Sequence, residues 1–287
     1  MLRRHLARAA KRGIEGLLWF ICLVSVRDLR GDGRAVVSLT TYGARFRTVH
    51  LTVTSIGMGK VRPARVILWI DDPALRQNLT PMLRRLVRRG LEVRACEDWG
   101  PHKKYFPYLA EADSTLPLVT ADDDVFYPRS WLARILQAHE THPSDVVAYR
   151  VRRLAVDRSR LLPYSEWTLA SDTHASVCGV AIGVSGVLYP PTVFAHLTRD
   201  GSKFMTVAPF ADDLWLHSRL AANGVATRQV LPTAVHFMPF SFAPDQALAS
   251  VNQGQNRNDE YARHLYDPGL LSVLSRCPGG PGDADAS

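Results

Sequence analysis

Cysteine is scarce in this chain, with four in 287 residues: Cys22, Cys96, Cys178 and Cys277. No two stand at a zinc-ligand spacing, and a chain of this length can form a core without a disulfide framework. Reduced thiols are the expectation. No apolar run approaches the roughly 20 residues that a membrane-spanning helix needs. There is no internal repeat, and low complexity is confined to the tail. Excess charge of one sign is also missing from most of the chain. The formal net charge is +8, but residues 1–34 hold eight Lys/Arg against Glu15, Asp28 and Asp32, a net +5. The remainder carries 8 − 5 = +3. That excludes a basic nucleic-acid-binding body, and no nucleic-acid partner is expected. Arg84, Arg85, Arg88 and Arg89 lie opposite Met82, Leu83, Leu86 and Val87 at helical spacing, which reads as a solvated face.

What is present at the start is a basic run over residues 1–12 and an apolar stretch over residues 16–26. Eleven residues make about 16 Å of helix, and a bilayer core needs about 30 Å. The segment is too short to span, and no small-x-small cleavage site follows it. Three readings remain. Residues 1–34 are a helix lying on an anionic membrane surface, with Trp19 and Phe20 in the interface, a helix packed on the body of the domain, or an export signal with a charged start and an apolar middle. The preferred reading, contact with an anionic membrane through residues 1–30, places the protein in the cytoplasm, peripheral at the inner face of the cell membrane.

The chain is organised around Leu116 to Pro128, a short apolar run that ends in Asp122, Asp123 and Asp124. The run reads as a buried strand. Carboxylates at its C-terminal end stand where open α/β sheets bind ligands. Three adjacent acids repel one another unless a cation compensates them. Extended geometry puts Asp122 and Asp124 on one face and Asp123 on the other. The first two can then share one hard cation, Mn²⁺ or Mg²⁺. Around this run, Ala35–Leu39, Arg65–Ile70 and Leu91–Ala95 read as strands. Residues 46–56 and the stretch between Pro81 and Gly90, capped by Thr80, read as helices. Strand–helix–strand order predicts parallel crossovers. Thr40, Thr41 and Asp71 then share the sheet edge with the triplet. Asp145–Val151 and the Gly-rich Cys178–Tyr189 read as further strands. Asp212 and Asp213 open a helix that Gly224 stops, and Ala226–Leu231 returns as a strand towards the lone His236. Residues 275–287 have the composition of a disordered tail.

These pieces, in this order, resemble a bacterial GT-A glycosyltransferase of the broad family-2-like group. The similarity is carried by Val37 to Tyr42, Ile67 to Asp71, Lys103-Lys104, Thr120 to Pro128, Gly186 to Pro191 and Asp212 to Trp215. It implies a single α/β domain over residues 35–274, with a mixed, mostly parallel, Rossmann-like sheet flanked by helices. It further implies a metal-dependent transfer from a nucleotide-sugar donor, a UDP-sugar favoured, to a saccharide or lipid-linked saccharide. Inversion is implied, in the synthesis of cell-surface polysaccharide or glycolipid. Asp124 and Asp122 match the metal-binding DXD motif, and His236 stands where a further metal ligand often occurs. Thr40, Thr41, Tyr42, Arg45, Asp71, Lys103, Lys104, Asp122 and Asp123 are implied for the nucleotide sugar. Asp213, or else Asp212, is implied as the base, since Asp replaces the usual Glu of the acidic pair.

Other classes fit less well. A haloacid-dehalogenase-like phosphohydrolase needs Asp-x-Asp-x-Thr after its first strand, whereas this triplet is mid-chain and followed by Tyr127 and Pro128. A nucleotidyltransferase wants a Gly-rich basic loop after strand one, and Thr40–Arg47 has only Gly43. The remaining alternative is a non-catalytic, membrane-associated carbohydrate-binding or scaffold protein, which would bind without nucleotide or divalent ion.

Overall fold

The computed structural model describes residues 2–111, 114–157, 160–241 and 257–275. Its centre is a seven-stranded sheet. Strands β1 (Val36–Thr40), β2 (Arg65–Ile70), β3 (Leu91–Ala95) and β4 (Leu118–Ala121) form one half. β5 (Val146–Ala148), β11 (Val187–Tyr189) and β12 (Thr227–Gln229) form the other. The order is β12-β5-β11-β4-β1-β2-β3. Only β11 runs against its neighbours; every other pair is parallel. Beside it lie β6 (Val151–Arg153), β9 (Thr168–Leu169) and β10 (Gly179–Ala181) as a three-stranded sheet. β7 (Val156–Asp157) and β8 (Arg160–Leu161) form a two-stranded ribbon.

Parallel strands are covered on both faces, so their sequences run apolar without interruption. Successive side chains still go to opposite layers. Val36, Ile67 and Leu118 join one core, while Val37, Leu39, Val66, Leu68 and Val119 join the other. The arginine-rich helix follows its sequence signals: Thr80 accepts from Leu83 N, Pro81 is the first helical residue, and Gly90 (φ 96°) ends it.

The N-terminal helix is longer than its apolar stretch, running over Leu2–Val24. It buries Leu18 and Cys22 against the body, and Arg85 Nε donates to the carbonyl of Cys22. Leu17, Trp19, Phe20 and Val24 point outward, each about half exposed. The helix therefore packs one face on the body of the domain and leaves an apolar face exposed. No helix among the described residues is long and apolar enough to cross a membrane.

Three expectations are corrected. Asp145–Val151 is not one strand: β5 belongs to the large sheet and β6 to the small one. Cys178–Tyr189 divides in the same way, into β10 and β11. The loop between them needs a left-handed backbone at Ser185 (φ 77°) and Gly186 (φ 103°). The cysteines are not all reduced, for Cys178 is disulfide-bonded, while Cys22 and Cys96 are free. The fold carries the Cys178 sulfur to 3.2 Å from the carbonyl of Leu274, a proximity that sequence separation hides. Cys277 and the tail from residue 276 lie outside the described residues.

Candidate active site

The C-terminal ends of the parallel strands open into a cavity of about 480 Å³. Its lining includes Thr40, Tyr42, Arg45, Asp71, Lys103, Lys104, the Asp triplet, Asp212 and Asp213. The topology explains the convergence. β1, β2 and β4 are parallel and adjacent, so their C-terminal loops meet at one edge.

The strand β4 stops at Ala121, and the triplet forms the turn that follows. Alternation therefore does not set its side chains. Thr41 donates to Asp123 Oδ2 at 2.6 Å, and Arg45 Nη1 donates to Asp123 Oδ1 at 3.0 Å. The same guanidinium reaches Asp124 Oδ2 at 3.3 Å. Asp123 is 4% exposed. Its backbone carbonyl accepts from Thr52 Oγ1 at 2.6 Å. Asp123 thus fastens the turn to the loop after β1, which leaves it little freedom to serve as the nucleotide-sugar contact that the resemblance implies. Asp122 turns instead to Lys104, and its amide donates to Tyr127 Oη at 2.8 Å. Asp124 is held from behind, its carbonyl accepting from Phe240 N at 2.9 Å.

Two lysines serve different ends of the cavity. Lys103 is buried and donates to Asp71 (2.6 Å) and Asp98 (3.0 Å). Lys104 sits between the triplet and the second acidic pair. Burial favours its neutral form, but Asp122, Asp212 and Asp213 together outweigh burial and keep it charged.

Asp212 and Asp213 begin the helix Asp212–Ala221, yet neither side chain caps it. Asp213 Oδ1 accepts from Gly183 N at 2.9 Å. Burial, and next the charge of Asp212, push the Asp213 carboxyl well above the usual carboxylate range, with Lys104 opposing. Burial likewise raises Asp124, against the pull of Arg45.

His236 does not join this cavity. It is exposed and is not among the lining residues. Among the described residues no three His, Cys, Asp or Glu side chains form a ready ligand cluster, so the expected set of Asp122, Asp124 and His236 is not assembled. The chain after β12 takes another path, with Val235 N bonded to Tyr149 O and Phe237 N to Ser185 Oγ. Trp167, Trp215 and Tyr189 are core, each 2% exposed, and are not among the residues lining the cavity. Asp98, Tyr164, Phe210 and Asn258 line the cavity without having been signalled by any pattern. A lone aromatic or polar residue far along the chain carries no periodicity.

The charge balance bears on a metal. Seven carboxylates line the cavity (Asp71, Asp98, Asp122, Asp123, Asp124, Asp212, Asp213) against three cations (Arg45, Lys103, Lys104), so 3 − 7 = −4 when all are ionised. A polyanionic ligand would be repelled by such a pocket. A hard divalent cation removes that conflict, and Asp122 and Asp124 offer it oxygen ligands of the right kind.

No protein-family model matches the chain, and no curated protein matches it in sequence. Solved structures do. The mannosyltransferase PcManGT from Pyrobaculum calidifontis, in complex with GDP-Man and Mn²⁺, is similar over 93% of this chain and 77% of its own. The TM-score is 0.55 and the identity 17%. GalNAc-T7 with UDP, GalNAc and Mn²⁺ gives 0.49 at 14% identity, over 89% of this chain and 58% of its own. TarS from S. aureus gives 0.46 at 14%, over 71% and 59%. The fold is therefore of the GT-A glycosyltransferase class: a mixed, mostly parallel central sheet flanked by helices.

Proposed function

We propose that this chain is a divalent-metal-dependent glycosyltransferase that moves a sugar from a nucleoside-diphosphate sugar to a hydroxyl acceptor with inversion. The observation that carries the reading is the meeting of two carboxylate sets in one cavity. One set follows β4, the other opens the helix Asp212–Ala221, and Lys104 lies between them. Asp122 and Asp124 would hold Mn²⁺ or Mg²⁺, which when bound neutralises the diphosphate and the charge growing on it. Thr40, Tyr42 and Asp71, with Lys103 behind Asp71, line the part that would take the nucleoside. Lys104 adds a fixed positive charge towards the leaving diphosphate. Asp213, oriented by Gly183 N, takes the proton of the attacking hydroxyl. A base held apart from the diphosphate side suits in-line displacement, hence inversion.

Calorimetric titration of UDP and GDP, with and without Mn²⁺, tests this reading. One nucleotide is expected to bind only with metal, and Asp124→Asn should weaken it about 30-fold or more, the loss of one charged ligand. The comparison structures carry both nucleotides, so the pair of titrations also identifies the donor class. Failure of both nucleotides to bind a folded protein would leave the carbohydrate-binding scaffold as the better account.

The acceptor side is proposed to lie at an anionic membrane surface. Leu17, Trp19, Phe20 and Val24 form an apolar outer face on a helix whose sequence begins with Arg3, Arg4, Arg8, Lys11 and Arg12. Trp19→Ala/Phe20→Ala is expected to lower co-sedimentation with phosphatidylglycerol-containing vesicles by about tenfold or more, since each lost aromatic is worth roughly 1.5–3 kcal/mol of burial. Equal sedimentation of wild type and variant would remove the membrane from the proposal.

A further inference from the structure

Tyr164 and Asn258 also line the cavity, and Tyr164 lies near Asp213. Behind Tyr164 stand two arginines. Arg150 and Arg152 lie close to each other and to Tyr164. The Arg152 guanidinium lies 4.9 Å from the Tyr164 ring centroid, and its Nη1 donates to the carbonyl of Trp167 at 2.7 Å. The Arg150 carbonyl accepts from the amide of Ile182, another lining residue, at 2.9 Å.

Neither arginine has a carboxylate partner among the described residues. That contrasts with their surroundings. Arg153, the next residue, pairs with Asp172, Arg219 with Asp200, Arg228 with Asp145, and Arg45 with Asp123 and Asp124. Arg150 makes no side-chain hydrogen bond at all among the described residues. Burial disfavours its charge, and the neighbouring charge of Arg152 adds to that. Asp259 accepts from the amide of Tyr164 at 2.7 Å. Two neighbouring guanidinium groups without a carboxylate partner are a natural place for an anionic group. An arginine pair without a carboxylate partner among the described residues thus stands against Tyr164, whose other neighbour is Asp213.

We propose that Arg150 and Arg152, with Tyr164 and Asn258, form an acceptor subsite for a saccharide bearing a negatively charged group, a carboxylate or a phosphate. The subsite rests on the glycosyltransferase reading. Arginine pairs suit planar or tetrahedral oxyanions, and Tyr164 offers a ring face to the sugar that carries the charge.

The test is saturation-transfer NMR or calorimetry on the full chain, loaded with Mn²⁺ and whichever of UDP or GDP binds. The probes are glucose, glucuronate and glucose 6-phosphate. At least one anionic probe should bind about tenfold tighter than glucose, the effect of one charge-assisted contact. Arg150→Gln should remove that preference while nucleotide binding stays unchanged. Because the Arg150 side chain holds no hydrogen bond among the described residues, this variant is the cleaner of the two; Arg152→Gln would also release Trp167. A preference for glucuronate alone assigns a carboxylate, and for glucose 6-phosphate alone a phosphate. Equal binding of all three probes, no binding of either anion, a preference retained in Arg150→Gln, or displacement of the nucleotide by the anions would each overturn the subsite. Absence of nucleotide binding in the first place would instead overturn the transferase reading, so the two failures are distinguishable.

Discussion

Asp213→Asn is expected to lower the turnover of sugar transfer about 10³-fold, within the range of general-base loss, with nucleotide affinity changed by no more than about twofold. The amide keeps the shape and can still accept from Gly183 N, but it cannot accept the acceptor's proton. The pH profile gives a second readout. The folded Asp213 carboxyl is held above its ordinary value by burial and by Asp212. Only the ionised form is a base. Transfer should therefore rise with pH through this raised value, so that the acid limb of kcat/KM lies above the usual carboxylate value of about 4. Asp212→Asn removes the neighbouring negative charge, makes ionisation of Asp213 easier and moves the limb to lower pH. A variant Asp213→Asn with more than about a tenth of wild-type turnover, set against the 10²-fold minimum for such a base, would remove Asp213 from the mechanism. A larger loss in Asp212→Asn would transfer the role to its neighbour.

Arg45→Ala should produce the largest stability loss among the cavity variants. It removes the guanidinium from two carboxylates at once, one of them Asp123, almost fully buried. Breaking a buried pair costs about 3–5 kcal/mol, mostly from the charge left behind. For a chain of this size that is a fall in Tm on the order of 10 °C. Thr41 would be the remaining side-chain partner of Asp123. The double variant Arg45→Ala/Asp123→Asn should recover a good part of the loss, because the most deeply buried charge is then gone and only Asp124 is left without the guanidinium. Thermal unfolding followed by circular dichroism measures all three proteins. A shift of less than about 2 °C, under 1 kcal/mol on the same scale, would mean that water reaches the turn freely and that the network is a surface feature.

The parts of the molecule that sequence discloses are those governed by local rules. Arg65–Ile70 is a strand over the span that its apolar residues mark, and Thr80, Pro81 and Gly90 bracket a helix by their own chemistry. The fold class follows from such elements in order. The triplet was conspicuous, but the roles within it were not, because the strand ends at Ala121, before all three of the residues to which the alternation argument applies. Asp123 is fixed by Thr41 and Arg45 from the loop after β1, some 80 positions away, and no spacing predicts that. β5 and β6 looked like one strand because the crossing between sheets leaves no mark on hydrophobicity. Tyr164 and Asn258 reach the cavity through the small sheet and the helix Arg257–Leu265, so only the folded chain brings them there. His236 was read as a ligand from its place in the order of motifs; the path after β12 turns it outward.

The loop from Gly183 to Gly186 has a mechanical consequence. Gly183 holds the Asp213 carboxylate, and Ser185, at φ 77°, accepts Phe237 N on its hydroxyl and Trp131 Nε1 on its carbonyl. The strip beyond Phe237 supplies the amide of Phe240 that braces Asp124. One four-residue loop therefore ties the two carboxylate sets together, directly at Asp213 and through the strip from Phe237 to Phe240 at Asp124. If these sets act as proposed, the donor side and the base side are not expected to drift apart independently. Efforts to alter specificity would do better at Tyr42 or Phe210, exposed on the rim, than anywhere along this loop.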